Sequence, residues 1–413
     1  MITIIENTIY CDDCVIYLPY KKSGPLTIRG PVLYFDEEKS DVMTNKQSIE
    51  TKLVQLGNLS DPSTGAVNPP IYLSTAYKHT GIGESTGFDY TRTKNPTRSI
   101  LEAGIADLEG GDAGFACSSG MAAIQLVLSL FKPGEELIVP DDLYGGTYRL
   151  FNFFKETYNI NPIYSKFESV EQVESFINEN TRAIFIETPT NPLMQEFDLA
   201  IYAELAHKHD AWLIVDNTFY TPYFQRPIEL GADIVLHSAT KYIGGHNDVL
   251  AGLVVSKGAE LSERIGFIHN GSGMVLGAMD SWLLIRGLKT MHLRLKQHDL
   301  NAKAIAAFLE HEELVTDVLY TGQGGMLSFR LQKAEWVDAF LRNMKLITFA
   351  ESLGGVESFI TYPATQTHAD MPYEERVERG VCDRLLRFSV GIEEAEDLIA
   401  DLKQVFDTLR KEA

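Results

Sequence analysis

The sequence predicts an α/β protein in which a large domain built on a mainly parallel sheet is followed by a smaller α+β domain. Two observations support this fold class. Short apolar runs alternate with helical patterns over residues 103–290, and after Asp280 a long helical stretch gives way to mixed strands and helices. Such alternation is typical of βαβ units, whose strands lie parallel in one sheet. The 413 residues are enough for two domains that share a large core.

The strands of the large domain are predicted where short apolar runs are bounded by turn signals. Their ranges are 114–117, 136–139, 183–186, 212–215, 234–236 and 252–255. Helical periodicity after Asn95-Pro-Thr97 predicts a helix through Leu108, ended by Gly110 and Gly111. The stretch 121–130 is apolar nearly all round, which is typical of a helix buried against a sheet.

The C-terminal part is expected to begin with a long helix. Residues 281–311 have strong helical character, interrupted at Arg286-Gly287, and are long enough to bridge two domains. Strands at 326–331 and 387–390 and a helix at 394–410 follow. The expected organisation is a leader at 1–42, an N-terminal arm at 43–102, a large domain at 103–290 and a C-terminal domain at 291–413.

The leader does not match the rest of the chain. It mixes β-branched stretches with turn signals, whereas Met43 opens a segment typical of a natural N-terminus that leads into a short helix. We expect the leader to be a spurious or disordered extension, and a genuine regulatory arm is the alternative. Its Cys11 and Cys14 form a C-x-x-C without a second pair or histidines at zinc spacing, so no metal site is expected.

Composition excludes several classes of partner. Lysine and arginine number 36 and aspartate and glutamate 57, which gives a formal net charge of −21. Such a surface repels nucleic acid and anionic membranes, and no apolar run is long enough to span a bilayer. Four cysteines are too few for a disulfide scaffold, and the first residues lack the features of a secretory signal. We therefore expect a cytoplasmic protein with no nucleic-acid or membrane partner.

The most informative segment of the chain is His237-Ser-Ala-Thr-Lys-Tyr-Ile-Gly-Gly-His246. Lys241 comes just after the predicted strand 234–236 and is followed by two glycines, which suits a Schiff-base nucleophile beside a phosphate site. The earlier strand 212–215 ends at Asp216. This pair of residues suggests pyridoxal 5′-phosphate (PLP), with Asp216 beneath its pyridine nitrogen and Lys241 bonded to its aldehyde. The alternative is a surface lysine and an ordinary strand-end aspartate, which the order of the two beside a phosphate-type loop disfavours.

Three further loops suit the same cofactor. In Ser118-Ser-Gly-Met-Ala-Ala123, glycine lets the N–H groups of a helix N-terminus approach a phosphate. The segment Asp141-Asp-Leu-Tyr-Gly-Gly-Thr147 places Tyr144 on a turn after a strand, where an aromatic ring could stack on the cofactor. The loop Glu187-Thr-Pro-Thr-Asn-Pro192 follows another strand, at the edge where parallel sheets bind ligands.

Together with three more motifs, these loops resemble the transsulfuration (Cys/Met metabolism) family of PLP-dependent enzymes. The motifs are Tyr90-Thr-Arg-Thr-Lys-Asn-Pro-Thr97, Glu351-Ser-Leu-Gly-Gly355 and Arg387-Phe-Ser-Val-Gly-Ile392. The resemblance covers roughly residues 50–410 and implies the aspartate aminotransferase-like fold type I. In that fold 103–290 would bind PLP and the arm 43–102 would contact the neighbouring subunit. It further implies small-molecule amino-acid substrates and an obligate dimer, usually paired into a homotetramer.

The resemblance also assigns roles in the cofactor site. Lys241 matches the lysine that binds the cofactor covalently and later shuttles protons. Asp216 matches the carboxylate that keeps the pyridine nitrogen protonated, and Tyr144 the tyrosine stacked on the ring. A catalytic part for Tyr144 in proton transfer is a further hypothesis. The remaining cofactor residues would contact the phosphate or the ring, two of them from a neighbouring subunit: Gly120, Met121, Ser238, Thr240 and Asn191 in one chain, Tyr90 and Arg92 in its neighbour.

On the substrate side, Arg387 matches the arginine that binds the α-carboxylate, a bidentate task suited to a guanidinium, and Ser352 matches a residue beside it. Asp89 and Glu351 resemble the acidic pair of members that act at Cγ. The resemblance implies γ-replacement on an O-acylhomoserine, by preference O-acetyl, with cysteine giving cystathionine or with sulfide giving homocysteine, in methionine biosynthesis. The alternatives are γ-elimination or β-elimination of cystathionine, and PLP binding without catalysis.

Overall fold

The computed structural model describes residues 3–5, 8–11, 14–17, 47–369 and 371–412, in two units, Met1–Gln47 and Ser48–Ala413. The described strands of the first unit are β1 (Thr3–Ile5), β2 (Thr8–Cys11) and β3 (Cys14–Tyr17). Strand β2 pairs antiparallel with both β1 and β3. Most of the leader at 1–42 lies outside the described residues, so the hypothesis that it is spurious or disordered stays a prediction.

A seven-stranded sheet organises the first part of the second unit. Its strands are β4 (Ala113–Cys117), β5 (Glu136–Pro140), β6 (Asn161–Ser165), β7 (Thr181–Glu187), β8 (Trp212–Asp216), β9 (Ile234–Ser238) and β10 (Gly252–Ser256). They lie in the order β4-β10-β9-β8-β7-β5-β6, and within this sheet β10 runs antiparallel to both of its neighbours while the others run parallel to one another. The mainly parallel sheet and its six predicted strands are confirmed. The sequence did not predict β6. This strand contains Pro162, and the proline is tolerated because β6 lies at the edge of the sheet.

Helices and two apolar cores lie on the faces of this sheet. The helices are α1 (Ile49–Gln55), α2 (Pro96–Glu109), α3 (Gly120–Leu128), α4 (Gly145–Tyr158), α5 (Val170–Ser175), α6 (Leu199–Lys208), α7 (Thr221–Phe224) and α8 (Ala259–Ser272), with a 3-10 turn at Pro227–Leu230. Successive strand residues point to opposite faces. Ile214 of β8 therefore packs in one core with Ile124 of α3, and Val215 in the other core with Leu101 of α2.

The predicted helix after Asn95 is confirmed in α2. Asn95 Oδ1 accepts hydrogen bonds from the N–H groups of Thr97 at 3.0 Å and Arg98 at 3.2 Å, and Pro96 occupies the first turn. Gly110 ends the helix with φ 80°, a left-handed conformation that glycine adopts without a steric penalty. The short helix expected after Met43 is confirmed as α1.

Helix α9 (Ala278–Glu310) leads from the large sheet toward the C-terminal part of the chain. The sequence predicted a break at Arg286-Gly287, and this prediction was wrong because the helix is continuous. A Cβ at Gly287 would lie 2.4 Å from the carbonyl oxygen of Ile243, so this glycine allows the helix to approach another backbone closely. The predicted domain boundary at 290/291 falls inside α9, and the domain division stays a prediction.

A five-stranded, mainly antiparallel sheet follows. Its strands are β11 (Val315–Leu319), β12 (Met326–Leu331), β13 (Thr348–Phe349), β14 (Phe359–Thr361) and β15 (Leu385–Ser389), in the order β11-β12-β15-β14-β13. The remaining helices are α10 (Val337–Asn343), α11 (Tyr373–Glu378) and α12 (Ala395–Glu412), with a 3-10 turn at Ala334–Trp336. The predicted strands and C-terminal helix are confirmed. Over the described ranges, no helix is both long and apolar enough to cross a membrane.

Candidate active site

A cavity of about 320 Å³ opens at the carboxyl ends of β7, β8 and β9. Parallel strands end at one edge of a sheet, and that edge is where such sheets bind ligands. Eleven predicted site residues line the cavity: Gly120, Met121, Tyr144, Asn191, Asp216, Ser238, Thr240, Lys241, Glu351, Ser352 and Arg387. The structure thus brings together residues that are up to 267 positions apart in the chain, from Gly120 to Arg387.

Lys241 lies just beyond the end of β9, where its Nζ donates a 3.0 Å hydrogen bond to Ser352 Oγ. Burial, followed by the positive charge of Arg387, lowers the pKa of the Lys241 amine to about 8, while the charge of Glu351 opposes this change. A lowered pKa increases the fraction of neutral amine near neutral pH. The neutral amine is the form that attacks an aldehyde, so the surroundings of Lys241 suit a covalent bond to PLP.

The loop that carries Ser352 packs against the segment that follows Lys241. Ser352 has φ 98°, a backbone conformation that is rare for a residue with a side chain. At Gly354, φ is +75° and a Cβ would lie 2.6 Å from Tyr242 N, so the close approach requires glycine. This packing places the Ser352 hydroxyl beside the Lys241 amine.

Asp216, the last residue of β8, lines the cavity. Its Oδ1 accepts hydrogen bonds from Thr218 N at 3.1 Å and from Thr218 Oγ1 at 2.5 Å. Burial raises the pKa of the Asp216 carboxyl, and the two bonds from Thr218 oppose that rise. A protonated ring nitrogen in the cavity would stabilise the charged form of such a buried carboxyl, so Asp216 fits the pyridine nitrogen of PLP.

The first turn of α3 offers backbone N–H groups to an anion. Ser119 caps the helix, and the N–H groups of Gly120 and Met121 lie in its first turn at the cavity wall. A Cβ on Gly120 would lie 2.8 Å from Ser238 Cβ, so the turn can approach β9 this closely only with glycine. The hydroxyl-bearing residues Ser238 and Thr240 also line the cavity. This arrangement fits a phosphate group.

Arg387, on β15, is 2% exposed. Its Nη1 donates to Asn191 Oδ1 at 2.9 Å, and its Nη2 donates to Ser352 O and Thr361 Oγ1, each at 2.9 Å. Burial lowers the pKa of the guanidinium to about 10, so Arg387 remains protonated at neutral pH. Its Nε has no hydrogen-bond partner among the described residues. Because these three partners are neutral, the charge of Arg387 is available to a substrate carboxylate.

Three predicted residues lie outside this cavity. Asp89 and Tyr90 are exposed, and the Arg92 guanidinium lies 5.9 Å from the Tyr90 ring centroid. Asp89 Oδ1 lies 3.2 Å from His79 Nε2. The single chain therefore does not bring Asp89 together with Glu351. The expectation that Tyr90 and Arg92 serve a neighbouring subunit stays a prediction.

Two residues that support the site, Glu187 and Thr361, were not predicted from the sequence. Glu187 lines the cavity and accepts hydrogen bonds from the N–H groups of Tyr144 and Asn191. It ends an apolar strand, as Asp216 does, and that pattern could have identified it. Thr361 accepts a hydrogen bond from Arg387, and no sequence pattern indicates this contact.

An amine and a carboxyl at the ends of neighbouring parallel strands, next to a glycine-containing phosphate turn, define the class of PLP-dependent enzymes. A profile described as "Cys/Met metabolism PLP-dependent enzyme" matches residues 50–407. The chain belongs to this family, and its cofactor is pyridoxal 5′-phosphate. The family and the cofactor predicted from the sequence are both confirmed.

Relatives with known names are similar over most of the chain. Cystathionine gamma-synthase of Haemophilus influenzae is 61% identical over 369 residues, which cover 89% of this chain and 100% of that protein. Cystathionine gamma-synthase/O-acetylhomoserine (thiol)-lyase of Bacillus subtilis is 62% identical over 367 residues, covering 89% and 98%. The solved structure of cystathionine gamma-lyase from Lactobacillus plantarum, complexed with L-serine, matches with a TM-score of 0.86 and 43% identity, covering 88% of this chain and 100% of that one. The predicted fold class is confirmed.

Proposed function

We propose that the chain catalyses γ-replacement on an O-acylhomoserine. The thiol of cysteine forms a bond to Cγ, the acyloxy group leaves as a carboxylate, and the product is cystathionine, an intermediate of methionine biosynthesis. The acyl group in this proposal is acetyl, and sulfide in place of cysteine gives homocysteine. The observation that carries the proposal is the one cavity shared by Lys241, Asp216, Arg387 and Glu351. Similarity to relatives named for this synthase activity supports it.

Lys241 binds the cofactor and moves protons. When bound, PLP withdraws electrons from the amino-acid carbons and so makes both the Cα and Cβ protons of the substrate acidic. Lys241 would hold the cofactor covalently through its Nζ, and the free amine of Lys241 would accept the Cα proton of the substrate and then serve Cβ. The 3.0 Å bond from Nζ to Ser352 Oγ holds the amine in place between these steps.

Other residues of the cavity hold the cofactor in one orientation. Asp216 would keep the pyridine nitrogen protonated, and Tyr144, at the start of α4, and Asn191 would contact the ring. The phosphate would be held at the N-terminus of α3, where the macrodipole and free N–H groups favour an anion. Its partners would be the N–H groups of Gly120 and Met121 and the hydroxyls of Ser238 and Thr240.

Arg387 and Glu351 bind the two amino-acid substrates. Arg387 holds the α-carboxylate of the O-acylhomoserine through a charge-assisted pair. Glu351 is exposed and lines the cavity, so its carboxylate attracts the ammonium group of the incoming cysteine.

The proposed assembly is a homodimer with shared sites, two of which form a homotetramer in the cytoplasm. Tyr90 and Arg92 would reach the phosphate of the neighbouring subunit, and Asp89 would approach its substrate. Their position outside the cavity of their own chain supports this assignment. The arm 43–102, the PLP-binding domain 103–290 and the C-terminal domain 291–413 are the proposed divisions of the subunit.

The first experiment gives the purified protein O-acetylhomoserine plus cysteine in one tube and cystathionine alone in another. Mass spectrometry follows the products. We expect cystathionine and acetate in the first tube and little ammonia or 2-oxobutanoate in the second. Because Lys241 is required for both proton transfers, Lys241→Ala is expected to lose all product. Cystathionine breakdown without synthesis would contradict the proposal.

The second candidate function is γ-elimination of cystathionine, because a cystathionine gamma-lyase shares this fold. Such an enzyme would use the same amine and the same substrate arginine, and would release ammonia and 2-oxobutanoate in the second tube. A protein that only stores PLP is disfavoured, since it has no use for a buried arginine such as Arg387. β-Elimination is tested in the same tube, where it would release pyruvate.

A further inference from the structure

Glu187 is a buried carboxyl in the wall of the PLP cavity. It is the last residue of β7, is 6% exposed, and pairs in register with Asp216, the last residue of β8. Paired residues of parallel strands project to the same face of a sheet. The carboxyls of Glu187 and Asp216 therefore lie on the same face at the ends of adjacent strands.

Both oxygens of Glu187 accept hydrogen bonds from loops of the site. Oε2 accepts from Tyr144 N at 3.2 Å, and Oε1 accepts from Asn191 N at 2.8 Å. Asn191 in turn accepts from Arg387 Nη1 at 2.9 Å through its own Oδ1. One side chain thus joins the loop after β5, the loop after β7 and, through Asn191, the arginine on β15.

The surroundings make the charged form of the Glu187 carboxyl unfavourable. Burial, followed by the charge of Asp216 and then that of Asp142, raises the pKa of Glu187 well above its usual range, while the bonds from the N–H groups of Tyr144 and Asn191 oppose the rise. Buried ionisable groups that carry such a penalty and line a cavity are candidates for function. In either protonation state a carboxyl has two oxygens, each of which can accept from one backbone N–H group, whereas a side-chain amide has one oxygen.

We infer that Glu187 is a positioning residue for the cofactor. Its two oxygens fix the backbones of Tyr144 and Asn191, and so set the phenol ring and the amide that contacts Arg387 relative to Asp216. This inference deepens the proposed function and rests on PLP as the cofactor, but it does not depend on which substrate is used.

The test compares Glu187→Gln and Glu187→Asp with a matched control, Asp401→Asn. Asp401 is also 6% exposed, and its carboxylate accepts hydrogen bonds from the N–H groups of Leu346 at 2.8 Å and Ile347 at 2.9 Å, in the C-terminal part of the chain. Three quantities are measured on the full chain: the visible circular dichroism of bound PLP, the Kd for PLP, and the Tm of the cofactor-free protein. The circular dichroism reports the orientation of the cofactor ring, and the Tm shows whether a substitution only destabilises the fold.

Glutamine turns its NH₂ group toward one backbone N–H, so one of the two bonds is lost. For Glu187→Gln we expect an altered visible dichroism band and a Kd for PLP that is about tenfold higher. Glu187→Asp keeps both acceptors on a shorter stem and should fall between wild type and Glu187→Gln. Asp401→Asn should lower Tm while leaving the band and the Kd unchanged.

A wild-type band and Kd in Glu187→Gln, with only Tm lowered as in Asp401→Asn, would overturn the inference. If Glu187→Gln does not fold, the same two quantities in Glu187→Asp decide, and wild-type values there would overturn it equally. The proposed function fails separately: normal PLP binding by the wild-type protein without cystathionine formation contradicts the reaction and leaves the role of Glu187 standing.

Discussion

Burial shifts the protonation of the two residues proposed to contact the reactive groups of the cofactor, Lys241 and Asp216. The same desolvation lowers the pKa of Lys241 and raises that of Asp216, because it favours the neutral form of each. A neutral amine is needed to attack the aldehyde of PLP, and a cationic ring nitrogen restores the charge of the aspartate. Burial therefore favours the neutral amine that this reaction needs, and the charge of Arg387 adds to its effect on Lys241.

The rate at which the cofactor-free protein binds PLP covalently should depend on the pKa of Lys241. Since burial lowers this pKa to about 8, the amine is mostly protonated at lower pH and mostly neutral at higher pH. We expect the rate constant to rise about tenfold per pH unit well below pH 8 and to level off above it. Stopped-flow absorbance of the bound cofactor measures this profile. Arg387→Gln removes the second cause of the lowered pKa and should move the midpoint upward, and a rate independent of pH from about 6 to 9 would contradict the assignment.

At the scale of secondary structure, α9 contacts both the segment that follows Lys241 and the segment that follows Arg387. Arg294 Nη1 donates to Tyr242 O, next to Lys241, at 2.8 Å. One helical turn further, His298 Nδ1 donates to Val390 O, just beyond β15, at 2.7 Å. Residues four apart lie on one face of a helix, so a single buried face of α9 contacts both segments.

Replacing Arg294 tests this link. Its Nη2 also donates to Gly287 O at 2.7 Å, and lysine cannot span two carbonyls with one planar group. For Arg294→Lys we expect kcat to fall about tenfold and the free energy of unfolding to fall by about 1–3 kcal/mol. The control is Arg342→Lys, at an exposed pair with Asp338, which should change the unfolding free energy by less than about 0.5 kcal/mol. Steady-state kinetics and urea unfolding measure both, and a wild-type kcat would show that α9 does not position Lys241.

The elements differ in how well the sequence predicted them. Strands 212–215 and 234–236 were predicted because buried parallel strands are continuous apolar runs. Asp216 and Lys241 were identified as candidate site residues because they follow the ends of these two strands. Helix α9 was predicted with a false break, since Gly287 is a helix breaker by propensity but is required here by a tertiary contact. Strand β6 was missed, because an edge strand with a proline does not have the apolar pattern of the interior.

At the scale of the whole molecule, the site joins distant parts of one chain and, in the proposed assembly, of two chains. The cofactor half of the site was predictable because each residue sits in a short motif with a local physical reason. The bonds of Glu187 and the contact of Thr361 with Arg387 were not, because their partners lie on loops that only the folded chain brings together. Sequence spacing holds no information on such pairs.

Shared sites can be tested by mixing two inactive variants. Lys241→Ala loses the amine, and Arg92→Ala loses the proposed phosphate contact of the neighbouring subunit. In a mixed dimer one site would combine the intact Lys241 of one chain with the intact Arg92 of the other. Random pairing gives mixed dimers half of the time with one good site each, so co-expression should restore about a quarter of wild-type activity.

The matched control co-expresses Lys241→Ala with Arg387→Ala. Both residues line the cavity of the same chain, so mixed dimers contain no complete site and should stay inactive. No recovery in the first mixture would show that Arg92 acts within its own chain, whereas recovery in the control would contradict the placing of Lys241 and Arg387 in the site of one chain. Purification through two different affinity tags confirms that mixed dimers form.

A continuous α9 restricts how substrate enters the cavity. A hinge at 286–287 would let the five-stranded sheet swing away and admit substrate between two moving lobes. Gly287 is packed against the carbonyl of Ile243, and this close contact disfavours such a bend. We therefore expect substrate entry to need only the movement of exposed side chains at the rim, such as Glu351, while the loop of Ser352 and the framework around Lys241 and Arg387 stay still.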